Sequence, residues 1–267
     1  MTMKSNILTN IINMLHDKRY DALYLSISNE NLYEFTDIIK NAVHKITGFA
    51  GDTGSLLITK KYAYLYVDGR FTIQAKNEIK DKRIKIVEIQ THNKKLDHIK
   101  ETLKNKSRLA FNPKTISIDR VLKVKDILSK KNITLIADYK FIDSLVDDTY
   151  DQTGLFILDK KYVSRSIKQK IKLLIDDIST SGFDYYITSS LEEIAYITNL
   201  RKIPKSKSDS MILEDAFMII GRKKCFLYLK DTFDTKILSS FKRHNVIIKR
   251  YNDFYNDLKL YKNKKYD

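Results

Sequence analysis

The sequence is poor in residues that cross-link a chain or carry it through a membrane. Cys225 is its single cysteine, so no disulfide can form within the 267 residues. No apolar run approaches the roughly 20 residues that a membrane-spanning helix needs. The N-terminal segment alternates apolar with polar residues, whereas a secretion signal requires an unbroken apolar stretch. These absences favour a cytoplasmic protein that does not enter a membrane.

The sequence also lacks the short motifs that mark common catalytic and metal sites. Its five histidines are scattered, none belongs to an H-E-x-x-H pattern, and C-x-x-C and G-x-S-x-G are absent. Cys225 falls in an apolar hairpin sequence, which favours a buried thiol. Adjacent carboxylates point to different sides of the chain, so three acidic pairs are expected to be solvated: Asp147 with Asp148, Asp176 with Asp177, and Glu192 with Glu193. We therefore expect no catalytic residue and no metal site within this sequence.

Basic residues outnumber acidic ones, but they do not cluster in one part of the sequence. The 49 lysines and arginines against 33 aspartates and glutamates give a net charge of +16. The basic residues are interspersed with acids and do not alternate with aromatics along one stripe, as a nucleic-acid surface would require. The wealth of Lys, Asn, Ile and Tyr is typical of an AT-rich gene. The charge alone does not favour nucleic-acid binding, although a basic binding surface stays open as an alternative.

Glycine is scarce, and four of the seven glycines fall between residues 46 and 70. Gly48, Gly51 and Gly54 are spaced by three and precede an apolar, β-type run. A phosphate-binding loop instead follows a strand and leads into a helix. The spacing therefore favours tight turns or a close approach of another part of the chain over nucleotide binding.

Apolar periodicity predicts an α/β chain. A helix is expected over 5–18, a strand over 21–28, and an antiparallel hairpin from the β-rich runs 55–59 and 62–68. Helical and strand patterns then alternate up to residue 139. Elements in this order form a mixed sheet flanked by helices.

The second half repeats the order of the first. A helix over 163–182 leads to a strand, a helix over 191–201 and a hairpin over 216–230. The repeats share local sequence: YDALYLS with FDYYITS, and ITG with ITN. We predict two related α/β domains, over 1–150 and 160–267, each with a mixed β-sheet flanked by helices. The second copy is expected to be incomplete at its C-terminal end.

Two motifs resemble the creatinase/prolidase-type N-terminal domains of Xaa-Pro aminopeptidases (aminopeptidase P). In that family a Gly-Phe-x-Gly-Ser-x-Gly segment leads into a hairpin ending in Thr-Asp-Gly-Arg-Tyr. The residues at the matching positions here are Gly48, Phe49, Gly51, Gly54, Asp68, Gly69 and Arg70. The stretch LEEIAYITNLR resembles a second-domain motif and contributes Asn199 and Arg201. Lys202 replaces the glycine of that motif, and the family's later Asn-Pro segment is absent.

The resemblance implies a three-domain metallo-aminopeptidase that removes the N-terminal residue before proline. Its third domain would hold two divalent metals, commonly manganese, through two Asp, one His and two Glu. The sequence stops at Asp267 within the second copy, so we expect no cofactor in this chain and no activity from the chain alone. In the family the first two domains help to form a homodimer and wall the active-site entrance, which admits short peptides with proline in second position.

The resemblance makes the matched residues candidates for substrate access or an interface. Arg70 could lie near the entrance or subunit interface and donate to a carboxylate or carbonyl. Alternatively, Asp68 and Arg70 fix the hairpin to the following helix. For Arg201 a charge at a helix C-terminus is favoured. A stand-alone, non-catalytic module that binds nucleic acid or a protein partner through its basic surface is the alternative function.

Overall fold

The chain forms two compact units in the computed structural model. Unit 1 is Met1–Thr149 and unit 2 is Tyr150–Asp267. None of the helices within the described ranges is long and apolar enough to cross a bilayer. The residues that the structure describes are 3–33, 41–144, 154–204, 211–213, 215–230 and 235–261.

Unit 1 contains a six-stranded mixed sheet in the order β4-β3-β2-β1-β5-β6. β1 pairs antiparallel with β2, and β2 pairs antiparallel with β3. The pairs β1–β5, β3–β4 and β5–β6 are parallel. The strands are β1 (Ala22–Ser26), β2 (Ser55–Thr59), β3 (Ala63–Val67), β4 (Ile84–Glu88), β5 (Arg108–Phe111) and β6 (Thr134–Ala137).

Helices cover both faces of this sheet because side chains alternate along each strand. Leu23 and Leu25 of β1 pack with one group of helices, whereas Ala22 and Tyr24 face the other. The first group is α1 (Met3–Asp17), α2 (Ala42–Thr47), α3 (Thr72–Glu78) and α6 (Tyr139–Asp143). The second is α4 (His92–Thr102) and α5 (Ile118–Ser129). Unit 1 is thus a three-layer α/β/α domain.

Unit 2 contains a four-stranded sheet in the order β12-β11-β10-β8 and a two-stranded antiparallel sheet of β7 and β9. Its strands are β7 (Leu155–Ile157), β8 (Tyr185–Thr188), β9 (Leu200–Lys202), β10 (Ala216–Gly221), β11 (Cys225–Leu229) and β12 (Val246–Arg250). Its helices are α7 (Ile167–Thr180), α8 (Leu191–Thr198), α9 (Thr235–Arg243) and α10 (Phe254–Leu258).

The two units share the topology of four strands. The series β1, β2, β3, β4 and the series β8, β10, β11, β12 have the same neighbours and the same sequence of antiparallel, antiparallel and parallel pairings. Helix α2 and helix α8 each lie between the first strand and the hairpin. The predicted fold class, two related mixed-sheet units flanked by helices, is confirmed.

The predicted helix over 191–201 is too long. α8 ends at Thr198 because Asn199 adopts a left-handed conformation with φ of 55°. Arg201 consequently lies in strand β9 and not in a helix. The helix predicted over 163–182 begins after Ser166, where a reciprocal capping box forms with Gln169.

Candidate functional site

The first matched segment begins where α2 ends. Gly48 has a φ of 80° and its N–H donates to the carbonyl of His44 at 2.7 Å. This left-handed C-terminal residue is the usual reason for glycine at a helix end. The hydroxyl of the preceding Thr47 donates to Val43 O at 2.7 Å and accepts from the N–H of Phe49 at 3.0 Å. The chain therefore leaves the helix along a fixed path that directs Phe49 inward.

Phe49 is a buried anchor that explains the next glycine. Its side chain is 1% exposed and meets the ring of Phe71 edge-on, with centroids 6.1 Å apart. A Cβ added to Gly51 would lie 2.2 Å from Phe49 Cζ. No side chain fits at Gly51 while this ring keeps its place.

Glycine is required at position 54 for a different reason. Its φ is 153°, and a Cβ there would lie 3.0 Å from the carbonyl oxygen of Tyr66 in β3. The backbone thus turns into β2 in a conformation that other residues rarely adopt. The clustered glycines serve turns and close packing, as the spacing predicted.

Asp68 and Arg70 form an ion pair directly after β3. The Asp68 carboxylate accepts from the Arg70 backbone N–H at 2.9 Å and from its guanidinium at 2.7 and 3.1 Å. Gly69 begins the single 3₁₀ turn that this carboxylate caps. The guanidinium holds the pKa of Asp68 below its usual range. The Arg70 side chain is 74% exposed, so its outer face is available to solvent.

Helix α3 joins the two parts of this motif. Glu78, a residue that the sequence analysis missed, accepts from the N–H of Ala50 at 2.8 Å and from the amide of Gln74 at 3.0 Å. Phe71, at the start of the helix, packs on Phe49. The glycine-rich loop and the Asp68–Arg70 turn are therefore neighbours in the fold, although residues 55–67 separate them in the sequence.

The second matched segment lies at the end of α8, and a buried lysine supports it. Asn199 is 5% exposed and its Oδ1 accepts from Lys170 Nζ at 2.6 Å. The same ammonium donates to the carbonyl of Tyr196 and lies 3.9 Å from the centroid of that ring. Burial, aided by the charge of Arg201, lowers the pKa of Lys170. Sequence analysis missed Lys170, since lysines of a KQKIK stretch are usually solvated.

Arg201 binds the same helix end from strand β9. Its guanidinium donates to the carbonyl oxygens of Ala195 at 2.5 Å and Leu200 at 2.8 Å. Burial lowers its pKa from the usual value. Lys170 and Arg201 therefore place two positive charges against the carbonyl end of α8, where the helix dipole favours them.

The side chains of the two matched segments position turns and a helix end. Among the described parts of both units, no three His, Cys, Asp or Glu residues lie where they could hold a metal ion. The residues present thus do not fit a two-metal centre, and we assign no metal-dependent step to them. Burial raises the pKa of the Cys225 thiol to about 11, which leaves it protonated and unreactive at neutral pH.

Family models match nearly all of the chain. A model described as "Creatinase/Prolidase N-terminal domain" matches residues 8–138, and a second model with the same description matches residues 148–267. Each unit therefore corresponds to one such domain.

Similar proteins with curated descriptions are aminopeptidases. Aminopeptidase P1 of Arabidopsis thaliana is 23% identical over 272 aligned residues, which cover 96% of this chain and 40% of that protein. Aminopeptidase P2 of the same plant is 28% identical over 203 residues, covering 70% of this chain and 28% of that protein. A probable Xaa-Pro aminopeptidase P of Coprinopsis cinerea is 24% identical, with 80% of this chain and 35% of that protein covered. The chain thus spans less than half the length of these relatives.

A solved structure shares the fold. The X-prolyl aminopeptidase of Caenorhabditis elegans, described as a cytosolic enzyme with a di-nuclear active site, aligns with a TM-score of 0.86 and 17% identity. The alignment covers 98% of this chain and 44% of that one. The chain belongs to the creatinase/prolidase N-terminal domain family and contains two domains of that family in tandem.

Proposed function

We propose that this chain is the N-terminal, non-catalytic region of a Xaa-Pro aminopeptidase, a metallo-exopeptidase that removes the residue before proline. The observation that carries the proposal is the alignment of 96% of the chain with aminopeptidase P1, together with the two tandem family domains. The proposed domain boundaries are 1–150 and 160–267. The metal chemistry would belong to residues outside these 267.

In this proposal the two domains shape substrate access and a homodimer. Arg70 offers an exposed guanidinium next to the ring of Phe71, which suits a contact with a peptide carbonyl or a partner carboxylate. Asn199 and Arg201 would act indirectly, because their polar groups are already engaged at the end of α8.

The substrates would be short peptides with proline in second position. Two divalent ions, manganese among the candidates, would act in the complete enzyme, and the compartment would be the cytoplasm, as described for the C. elegans enzyme.

The proposal is tested by assaying the purified chain with manganese on an Xaa-Pro peptide. We expect no release of the N-terminal residue above the rate of a blank, with an Xaa-Ala peptide as the matched substrate control. Release that depends on both proline and metal would contradict the non-catalytic assignment. Sedimentation analysis of the same preparation tests the dimer, and a monomer at every concentration would remove that part of the proposal.

The comparisons do not support the alternative of a stand-alone basic binding module, because the relatives named above are described as aminopeptidases.

A further inference from the structure

Unit 1 contains a partly open cavity that the proposed function does not use. It lies between the sheet and helices α4 and α5, with a volume of about 40 Å³. A cavity needs about 10–15 Å³ of such space for each water, so this one has room for about three water-sized groups. Its apolar end is lined by Leu96, Ile99, Leu109, Val124, Leu128 and Leu135.

The other end of the cavity carries its polar residues, together with Phe111, Ile116 and Val121. Tyr24, Ser26, His92 and Arg120 line it, where the carboxyl ends of the parallel strands β1 and β5 meet the N-terminal ends of α4 and α5. In α/β sheets this is the edge at which ligands usually bind. The polar residues converge there from strand β1 and from helices α4 and α5, which are far apart in the sequence.

One polar atom at this end has no partner. His92 Nε2 is shielded from solvent and makes no hydrogen bond to any residue that the structure describes. A buried polar atom without a partner is costly unless a water or another small group satisfies it. Burial and the charges of Lys95 and Arg120 lower the pKa of His92 to about 4. The unpaired atom thus lies in a surrounding of positive potential.

Tyr24 adds a donor to the same end. Its hydroxyl accepts from Lys95 Nζ at 2.9 Å, and that ammonium also lies 3.3 Å from Ser55 Oγ. Because the Tyr24 oxygen accepts from Lys95, its own proton is available to another acceptor. Lys95 is 9% exposed, so its charge is poorly screened by water. No carboxylate is among the residues that line the cavity. The polar end is therefore complementary to an anion.

We propose that the cavity binds a small monocarboxylate of about two or three carbons, whose volume matches the space available. The carboxylate accepts from Tyr24 and Arg120, and it accepts from His92 Nε2 in the tautomer that carries the proton on that nitrogen. The alkyl end contacts Leu96 and Val124. This site is independent of the proposed function of the chain.

Nuclear magnetic resonance of the complete chain tests the site with propionate as the probe. Propionate is added at constant ionic strength while the ring signals of His92 are followed. We expect a saturable shift and a higher pKa for His92 in the complex, because a neighbouring anion favours the protonated ring. Propionamide has the same shape without the charge, and we expect no response to it. A response that rises linearly with propionate, or an equal response to propionamide, would overturn the proposal, as would a cavity that holds only water.

Charge variants on α5 distinguish binding in the cavity from non-specific attraction of an anion to the positively charged protein. Arg120→Gln should weaken propionate binding about tenfold, the effect of losing one charge-assisted hydrogen bond. Lys123→Gln is the matched control, because it also removes one positive charge from α5 but lies at the surface in an exposed pair with Asp119. Val124→Leu, which fills the apolar end and changes no charge, should abolish binding. Equal weakening by Lys123→Gln, or full binding by Val124→Leu, would overturn the proposal.

Discussion

Thr47 and Thr198 make the same pair of hydrogen bonds in the two units. Each hydroxyl donates to the carbonyl four residues earlier, Val43 at 2.7 Å and Ile194 at 2.6 Å. Each also accepts from the N–H two residues later, in Phe49 at 3.0 Å and in Leu200 at 3.2 Å. A left-handed residue follows each threonine. The shared sequence Ile-Thr-Gly/Asn therefore encodes one helix-ending device that is used twice.

Thr47→Val tests this device. Valine has the same shape but leaves the buried N–H of Phe49 without its acceptor, which should cost about 1–3 kcal/mol. Hydrogen exchange at the Phe49 amide should become faster than in the wild type. Thr47→Ser keeps the hydroxyl and should retain most of the protection. Unchanged exchange in the valine variant would mean that the hydroxyl does not hold the helix end.

Gly51→Ala tests the packing of the glycine loop. The added Cβ would meet the buried ring of Phe49, and overpacking of this kind costs about 1–3 kcal/mol. Gly69→Ala is the control, because its nearest neighbour would be Glu88 Oε1 at an ordinary 3.7 Å. Urea unfolding of unit 1 should separate the two variants. Equal stability would show that the ring has room to move away.

Variants of Asp68 separate its two contributions. Asp68→Asn keeps an acceptor for the Arg70 N–H and loses only an exposed ion pair, for about 0–1 kcal/mol. Asp68→Ala also loses the cap and should cost about 1 kcal/mol more. Arg70→Ala should resemble Asp68→Asn in unfolding experiments. A larger loss in Arg70→Ala would favour the structural lock over a role of Arg70 in peptide or partner contact.

His92 makes the stability of unit 1 depend on pH. Its pKa is about 4 in the fold and 6.5 without it. Between these values the unfolded chain binds a proton that the folded chain does not, so the free energy of unfolding falls as the pH drops from 6.5 to 4. His92→Gln should show a smaller fall over that range. Equal pH profiles for the two proteins would contradict the lowered pKa.

Much of the fold could be predicted because its signals are local. Apolar alternation marked the hairpin over 55–68, and helical spacing marked α1 and α7. Gly182, with φ of 79°, follows the end of α7: the N–H of Phe183 donates to Ile178 O and that of Gly182 to Ser179 O. Duplication could be predicted because the same elements recur in the same order.

The features that could not be predicted depend on contacts between residues that are distant in the sequence. β9 has only three residues and follows closely after a helix, so its sequence is too short to show the apolar–polar alternation of a strand. Lys170 belongs to a stretch with the composition of a solvated face, and only the end of α8 explains its burial. His92 and Arg120 are 28 residues apart, and only the packing of two helices on one sheet brings them to one cavity.

The activity of the native protein tests the account most directly. An antibody raised against the recombinant chain would capture the protein from its source, and the captured material and the recombinant chain would be assayed side by side on an Xaa-Pro peptide. The account predicts cleavage by the captured material, loss of cleavage with a chelator, recovery with manganese, and no cleavage by the recombinant chain. Captured protein without this activity, or cleavage by the recombinant chain alone, would contradict it.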